Sequence, residues 1–147
     1  MEKKKVGFGE IKKIIDEFIV GEAQFLAGID FVVGVSRGGL APAALLAARI
    51  NKPLTAVYIN KQDEIFFDRT DWINGKNILV VDDIIRSGKT LWLVKNHLEA
   101  NSAPKSISFF TLFKVGSLFN DNCDIKVSAR EIDEDVIFPW DDDVFTN

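Results

Sequence analysis

The stretch Ile78-Leu79-Val80-Val81-Asp82-Asp83-Ile84-Ile85-Arg86-Ser87-Gly88-Lys89-Thr90 constrains this chain more than any other. It begins as a short β-branched apolar run, the pattern of a strand buried on both faces. Two adjacent acids break it, a loop of small and polar residues follows, and residues 91–100 read as a helix. Backbone N–H groups of Ser87, Gly88, Lys89 and Thr90 would then point out of a helix N-terminus, where unpaired amides and the helix dipole hold phosphate. The Ser87 and Thr90 hydroxyls add donors. Asp82 and Asp83 repel an anion, so their place at the carboxyl end of the strand suits sugar hydroxyls or a hard cation such as Mg²⁺. One ligand carrying a phosphate, a ribose diol and a bound metal uses every part. A Walker-type phosphate loop is excluded, because it needs Gly six residues before the lysine of Gly-Lys-Thr and Asp83 stands there. The plainer alternative is a strand–helix unit with incidental acids, but paired carboxylates at a buried strand end are costly without a use.

A second unit of the same kind lies upstream. Phe31-Val32-Val33-Gly34-Val35 is a buried strand, and Ser36-Arg37-Gly38-Gly39-Leu40 leads into a helix from Pro42 to about Ile50. Two consecutive glycines let main chain approach a ligand closely, and Arg37 offers a permanent positive charge to phosphate oxygens. Alone, this loop reads rather as a tight turn with a surface arginine. Beside the first loop it becomes a second anion subsite.

The remaining elements follow from periodicity. Ile11, Ile14, Ile15, Phe18 and Ile19 mark an amphipathic helix closed by Gly28-Ile29-Asp30. Leu54 to Ile59 is a strand. Leu91, Val94 and Leu98 line one helix face, with Trp92 and His97 in surface or packing roles. Ser106 to Phe113 is a strand ending at Lys114, and Ile125 to Ala129 is a last short one. Strands alternating with helices give an α/β fold, a mostly parallel central sheet flanked by helices, in a single domain over residues 1–147. Ligands in such sheets bind at the carboxyl ends of the strands, where both loops and Lys114 fall. Residues 60–75 show no clean period, and read either as a mobile loop or as a β-hairpin packed by Phe66, Phe67 and Trp72.

Composition narrows the function. The chain has 147 residues, 47% apolar and 27% charged, which suits one domain with a proper core. A net charge of −4 gives no electrostatic ground for a nucleic-acid partner. Lys3, Lys4 and Lys5 read as a solvated start, and Asp141 to Asp143 as a solvated surface. No segment approaches a membrane span, and no apolar signal core follows the N-terminal lysines. Cys123 is the single cysteine, so a reducing, cytoplasmic setting is expected. With His97 the single histidine, a Cys/His zinc cluster is excluded.

Residues 80–90 resemble the phosphoribosyl-pyrophosphate (PRPP) signature of the type I phosphoribosyltransferases: apolar residues, two acids, two more apolar residues, then a Thr/Ser-Gly-x-Thr loop. Ser36-Arg37-Gly38-Gly39-Leu40 resembles the pyrophosphate loop of that family, especially of its bacterial xanthine–guanine branch. Phe138-Pro139-Trp140-Asp141 is similar to the Pro-Trp-Asp near the C-terminus of those enzymes. The resemblance implies Mg²⁺-dependent transfer of ribose 5-phosphate from PRPP to a nucleobase, a 6-oxopurine before others, with release of pyrophosphate. It puts Ser87, Gly88, Lys89 and Thr90 on the 5′-phosphate, with Arg86 in the same loop. It puts Asp82 and Asp83 on the ribose hydroxyls, with Asp83 also at the metal, and Ser36, Arg37, Gly38 and Gly39 on pyrophosphate. Asp82, Asp83 and Arg37 form the implied catalytic set. Lys114 is implied at the base carbonyl, and Val136 and Ile137 against the base. A small C-terminal hood from about 114–147, closure of residues 60–75 over the reacting centre, and a homodimer or homotetramer are implied too. At Arg86 purine members usually carry an acid that meets the base, whereas pyrimidine-handling members lack it. The stacking aromatic expected before Pro139 has Asp135, Val136 and Ile137 in its place, though Phe138 lies next. Transfer to a pyrimidine or other base, and PRPP or nucleotide binding without turnover, are therefore the alternatives.

Overall fold

The computed structural model describes residues 3–116 and 130–141. The chain opens with a short strand, β1 (Lys3–Lys5), and two helices, α1 (Phe8–Gly21) and α2 (Ala23–Ala27). Strand β2 (Phe31–Ser36) feeds α3 (Leu40–Ile50), and β3 (Leu54–Ile59) is followed by β4 (Ile65–Phe66) and the one-turn α4 (Thr70–Ile73). Strand β5 (Asn77–Ile85) feeds α5 (Lys89–Asn101), and β6 (Ser106–Val115), β7 (Arg130–Ile132) and β8 (Asp135–Ile137) complete the chain. The central sheet runs in the order β4-β3-β2-β5-β6-β7 and is parallel except for β4.

The two apolar runs occupy the middle of this sheet because each of their side chains has somewhere dry to go. Val32, Leu79, Val81 and Phe110 face α1 and α3, packing with Ile11, Ile15, Phe18 and Leu46. Val33, Val35, Ile78, Val80 and Phe109 face the other way, onto Leu91, Val94 and Leu98 of α5 and Ile73 of α4. The period-2 alternation of the strands thus splits one hydrophobic run between two layers. Phe18 and Phe110 stack with ring centroids 4.0 Å apart. Each such fully buried side chain stabilises the fold by roughly 1.5–3 kcal/mol relative to exposure. No helix among the described residues is long and apolar enough to cross a membrane.

Three local expectations need correction. The first helix does not continue to Gly28. It stops at Gly21, where Glu22 leaves helical geometry at φ −122°, and α2 is a separate helix capped by Gly28. The apolar stripe ends with Phe18 and Ile19, Val20 is exposed, and the bend lets Leu26 and Ile29 join the core. Strand β5 does not end at the acids, since Asp82, Ile84 and Ile85 continue pairing with Thr111, Phe113 and Lys114 of β6. In residues 60–75 the hairpin reading holds for β3 and β4, with Phe67 packed against the core and Phe66 beside Tyr58, but the aromatics are not its deepest anchor. Phe66 and Trp72 are exposed, and fully buried Ile73 ties the segment down. The strand expected at residues 125–129 and Cys123 lie outside the described residues.

At the far edge β7 adds to β6, and β8 pairs in parallel with β1, Lys3 opposite Asp135 and Lys5 opposite Ile137. The C-terminal segment is therefore held by the N-terminus as well as by the core, through Val136 and Phe138.

Candidate active site

Strands β2 and β5 are parallel neighbours with Gly34 opposite Val81, so the loops that follow them emerge side by side. Their contact is close. A Cβ placed on Gly38 would lie 2.1 Å from Asp83 Oδ2, and one on Gly39 would lie 2.3 Å from the Val81 carbonyl oxygen. Only glycine permits this approach of main chain to carboxylate and strand. The loop itself is a tight turn into α3: the Gly39 N–H donates to the Val35 carbonyl at 2.8 Å and the Leu40 N–H to the Arg37 carbonyl at 3.0 Å. The Ser36–Arg37 peptide is cis, and Arg37 is exposed at the rim.

The second loop turns on Gly88, whose φ of 90° lies in the left-handed region that side chains resist. Helix α5 starts directly after it at Lys89, with the Lys89 N–H 3.3 Å from Ser87 Oγ. A cavity of about 220 Å³ lies between this loop, Asp82 and Arg86. Backbone donors at a helix start, with hydroxyls and no carboxylate in the loop, are groups that could hold a phosphate. Lys89 reaches Asp63 at the tip of the β3–β4 hairpin, 2.8 Å away.

The two acids turn partly inward. Asp82 Oδ1 accepts the Asp83 N–H at 2.8 Å, and Asp83 Oδ1 accepts the Ile84 N–H at 2.8 Å. Burial, reinforced by the neighbouring Asp83 carboxylate, pushes the Asp82 carboxyl well above the usual range. Burial also raises Asp83, against hydrogen bonds from Trp140 and the chain that favour its charged form. A cation or a set of sugar hydroxyls placed there relieves both. Two adjacent carboxylates offer the hard oxygen donors that Mg²⁺ prefers, the remaining positions falling to ligand and water. Among the described residues no group of three or more acids, histidines or cysteines is close enough to hold a metal unaided.

Trp140 is the functional residue that sequence reading missed. Its indole N–H donates to Asp83 Oδ2 at 3.0 Å, and its ring stacks on buried Phe138 with centroids 4.9 Å apart. The Pro-Trp-Asp motif was the available signal. Asp141 completes that turn by accepting the Phe138 N–H at 2.7 Å.

The expected base-side residues are spread along the β6–β8 side. Lys114 is the register partner of Ile85. Val136 is buried in the core and Ile137 half-buried beside it. Arg86 borders the loop's cavity and donates through Nη2 to Asp135 Oδ1 at 2.5 Å, bridging the β5–α5 loop to β8. His97, assigned no part in the chemistry, borders an open hollow with Phe66 and Asn101 on another part of the surface.

Three comparisons bear on this arrangement. Residues 9–143 match the family model described as the phosphoribosyl transferase domain. Over 119 residues the chain is 29% identical to a xanthine-guanine phosphoribosyltransferase of Idiomarina loihiensis, covering 75% of this chain and 70% of that one. Over 97 residues it is 28% identical to the transcriptional regulator GfcR of Methanococcus vannielii, covering 60% and 45% respectively. In fold it superposes on the crystal structure of a purine phosphoribosyltransferase from Pyrococcus horikoshii with a TM-score of 0.78 at 23% identity, over 96% of this chain and 95% of that one.

Proposed function

The chain belongs to the phosphoribosyl transferase domain family, and from that premise we propose that it transfers ribose 5-phosphate from PRPP to a nucleobase, a 6-oxopurine, releasing pyrophosphate. The observation that carries this reading is the close approach of Gly38 to Asp83, which brings the two glycine loops and the carboxylate pair to one rim. The xanthine-guanine relative supports the choice of base.

In this reading Ser87, Gly88, Lys89 and Thr90 hold the 5′-phosphate, with Arg86 at the loop's edge. Asp82 and Asp83 take the ribose hydroxyls. Ser36, Arg37, Gly38 and Gly39 hold the pyrophosphate. Asp83 is the residue that would hold Mg²⁺, which when bound neutralises charge on the leaving group. Lys114 meets the base carbonyl and Ile137 bounds the base on the hood side, while Val136, expected beside it, is buried in the core and does not reach the base. The hood comprises the chain from about residue 114 onward.

The residues carry out the displacement by placement. As the bond from C1′ to pyrophosphate oxygen breaks, positive character grows on the sugar and negative charge on the departing anion. Arg37, exposed at the rim beside the Asp82–Asp83 pair, supplies the positive charge that stabilises that anion. The Asp82 and Asp83 carboxylates lie on the sugar side, where growing positive charge is stabilised. Trp140 fixes the Asp83 carboxylate in that pose.

The test is consumption of PRPP with Mg²⁺ against a panel of purines and pyrimidines, following nucleotide formation. Nucleotide from a 6-oxopurine is expected, and PRPP left intact with every base would refute the reading. A second reading, a PRPP- or nucleotide-binding regulator without turnover, draws on the match to a transcriptional regulator and on Arg86 standing where purine enzymes usually carry an acid. Calorimetric PRPP binding with no consumption would select it.

A further inference from the structure

The tip of the β3–β4 hairpin is a built turn that presents one acid to α5. Asn60 organises it: its Oδ1 accepts the N–H groups of Gln62 at 3.0 Å and Glu64 at 2.9 Å, and its carbonyl accepts the Asp63 N–H at 3.1 Å. Glu64 is turned back onto Asn60 Nδ2 at 3.0 Å. Asp63 sits at φ 61°, in the left-handed region that aspartate and asparagine tolerate better than most side chains. Its Oδ2 lies 2.8 Å from the Lys89 ammonium. The turn joins the sheet edge through the register pairs Tyr58 with Phe66 and Ile59 with Ile65.

Lys89 opens α5 and lines the cavity that the proposed function gives to the 5′-phosphate. The other cation of that loop, Arg86, is engaged with Asp135 of β8. A phosphate in the cavity and the Asp63 carboxylate are both oxygen anions, and they contend for the same ammonium. The contest is an even one. The Lys89 and Asp63 side chains are 66% and 47% exposed, so water screens their attraction and the pair holds the hairpin only weakly. A phosphate dianion backed by the amides of the helix start is the stronger partner.

We propose that Asp63 is an autoinhibitory acid: it holds Lys89 while the phosphate loop is empty, and a phosphomonoester at the loop takes Lys89 over and frees the hairpin tip from α5. The inference rests on the transfer reading above in taking residues 87–90 as the phosphate site. Two effects follow. The internal carboxylate lowers affinity for the phosphate, because its contact with Lys89 is given up on binding. The tether between hairpin and helix lasts while the loop is empty, so occupancy of the loop is passed to a segment on the other side of the sheet's parallel core.

The experiment titrates ribose 5-phosphate and, separately, inorganic phosphate into the full chain and its Asp63→Asn variant by calorimetry. Asparagine tolerates the left-handed region as aspartate does, so the turn is kept. Asp63→Asn should bind both ligands about two- to fivefold more tightly, the span an exposed ion pair supplies. The gain should shrink in about 1 M salt, which screens the pair. In a Lys89→Gln background the same substitution should change affinity little, because the contested charge is gone. Hydrogen exchange at the amides of residues 60–66 should quicken when ribose 5-phosphate saturates the natural protein. Equal affinity in the two proteins, an equal gain with Lys89 replaced, or exchange that slows or stays unchanged overturns the inference and leaves the transfer reading standing. Failure of both ligands to bind the natural protein and every variant refutes the phosphate site itself, and this inference with it.

Discussion

Gly38 is the residue at which the two loops meet, and its lack of a side chain is what lets them meet. A methyl group there would lie 2.1 Å from Asp83 Oδ2, on a carboxylate pinned by the Ile84 and Trp140 N–H groups. Gly38→Ala is therefore expected to lower kcat by about a hundredfold or more and to cost about 1–3 kcal/mol of stability. Steady-state kinetics and a melting curve on the same sample check it. On stability, Asp82 acts in the opposite direction. Its folded pKa is raised, so the neutral form is the one the fold favours. The stability it contributes is fully present below the unfolded value of about 3.9, and is lost as pH rises through the folded value. Asp82→Asn retains an oxygen for the Asp83 N–H and carries no buried charge. It should melt higher than the natural protein at neutral pH, by an amount that vanishes below about pH 4, and should lose activity. A melting temperature unchanged or lower at neutral pH would count against the burial argument.

At the scale of elements, what was legible in the sequence was what is local. The β5–loop–α5 unit showed itself because strand, acids, glycine and helix are consecutive, and Leu91, Val94 and Leu98 face the core as their spacing requires. The bend between α1 and α2 had one local signal, the poor helix former Gly21, which the sequence reading passed over, and packing of Leu26 completes it. The pairing of β1 with β8 was hidden altogether. Lys3, Lys4 and Lys5 show no hydrophobic pattern, and the strand exists through its partner and the Val6 N–H bond to the Ile137 carbonyl at 3.0 Å. That pairing has a consequence for the site, since β8 leads directly to Trp140. Deleting residues 1–6 should lower the melting temperature, and should reduce kcat by more than it raises the KM for PRPP. Circular dichroism and kinetics check both. Trp140→Phe isolates the last link. Removing the indole donor lets the Asp83 carboxyl rise further, so the acidic limb of the pH–rate profile should move to higher pH.

For the whole molecule, sheet order decides where function sits. Placing β2 beside β5 at the centre of a parallel sheet puts two loops of separate sequence origin at one carboxyl edge. Alternating strands and helices made that architecture readable, but not the 57-residue link from Trp140 to Asp83 or the 49-residue link from Arg86 to Asp135. Both are contacts between segments whose own sequence says nothing of the other. The central claim is that both loops grip one PRPP molecule, and calorimetric titration with pyrophosphate, ribose 5-phosphate and PRPP tests it most directly. In Arg37→Ala, affinity for pyrophosphate and for PRPP should fall together by about tenfold or more, with ribose 5-phosphate binding unchanged. PRPP affinity equal to that of the natural protein would contradict the account.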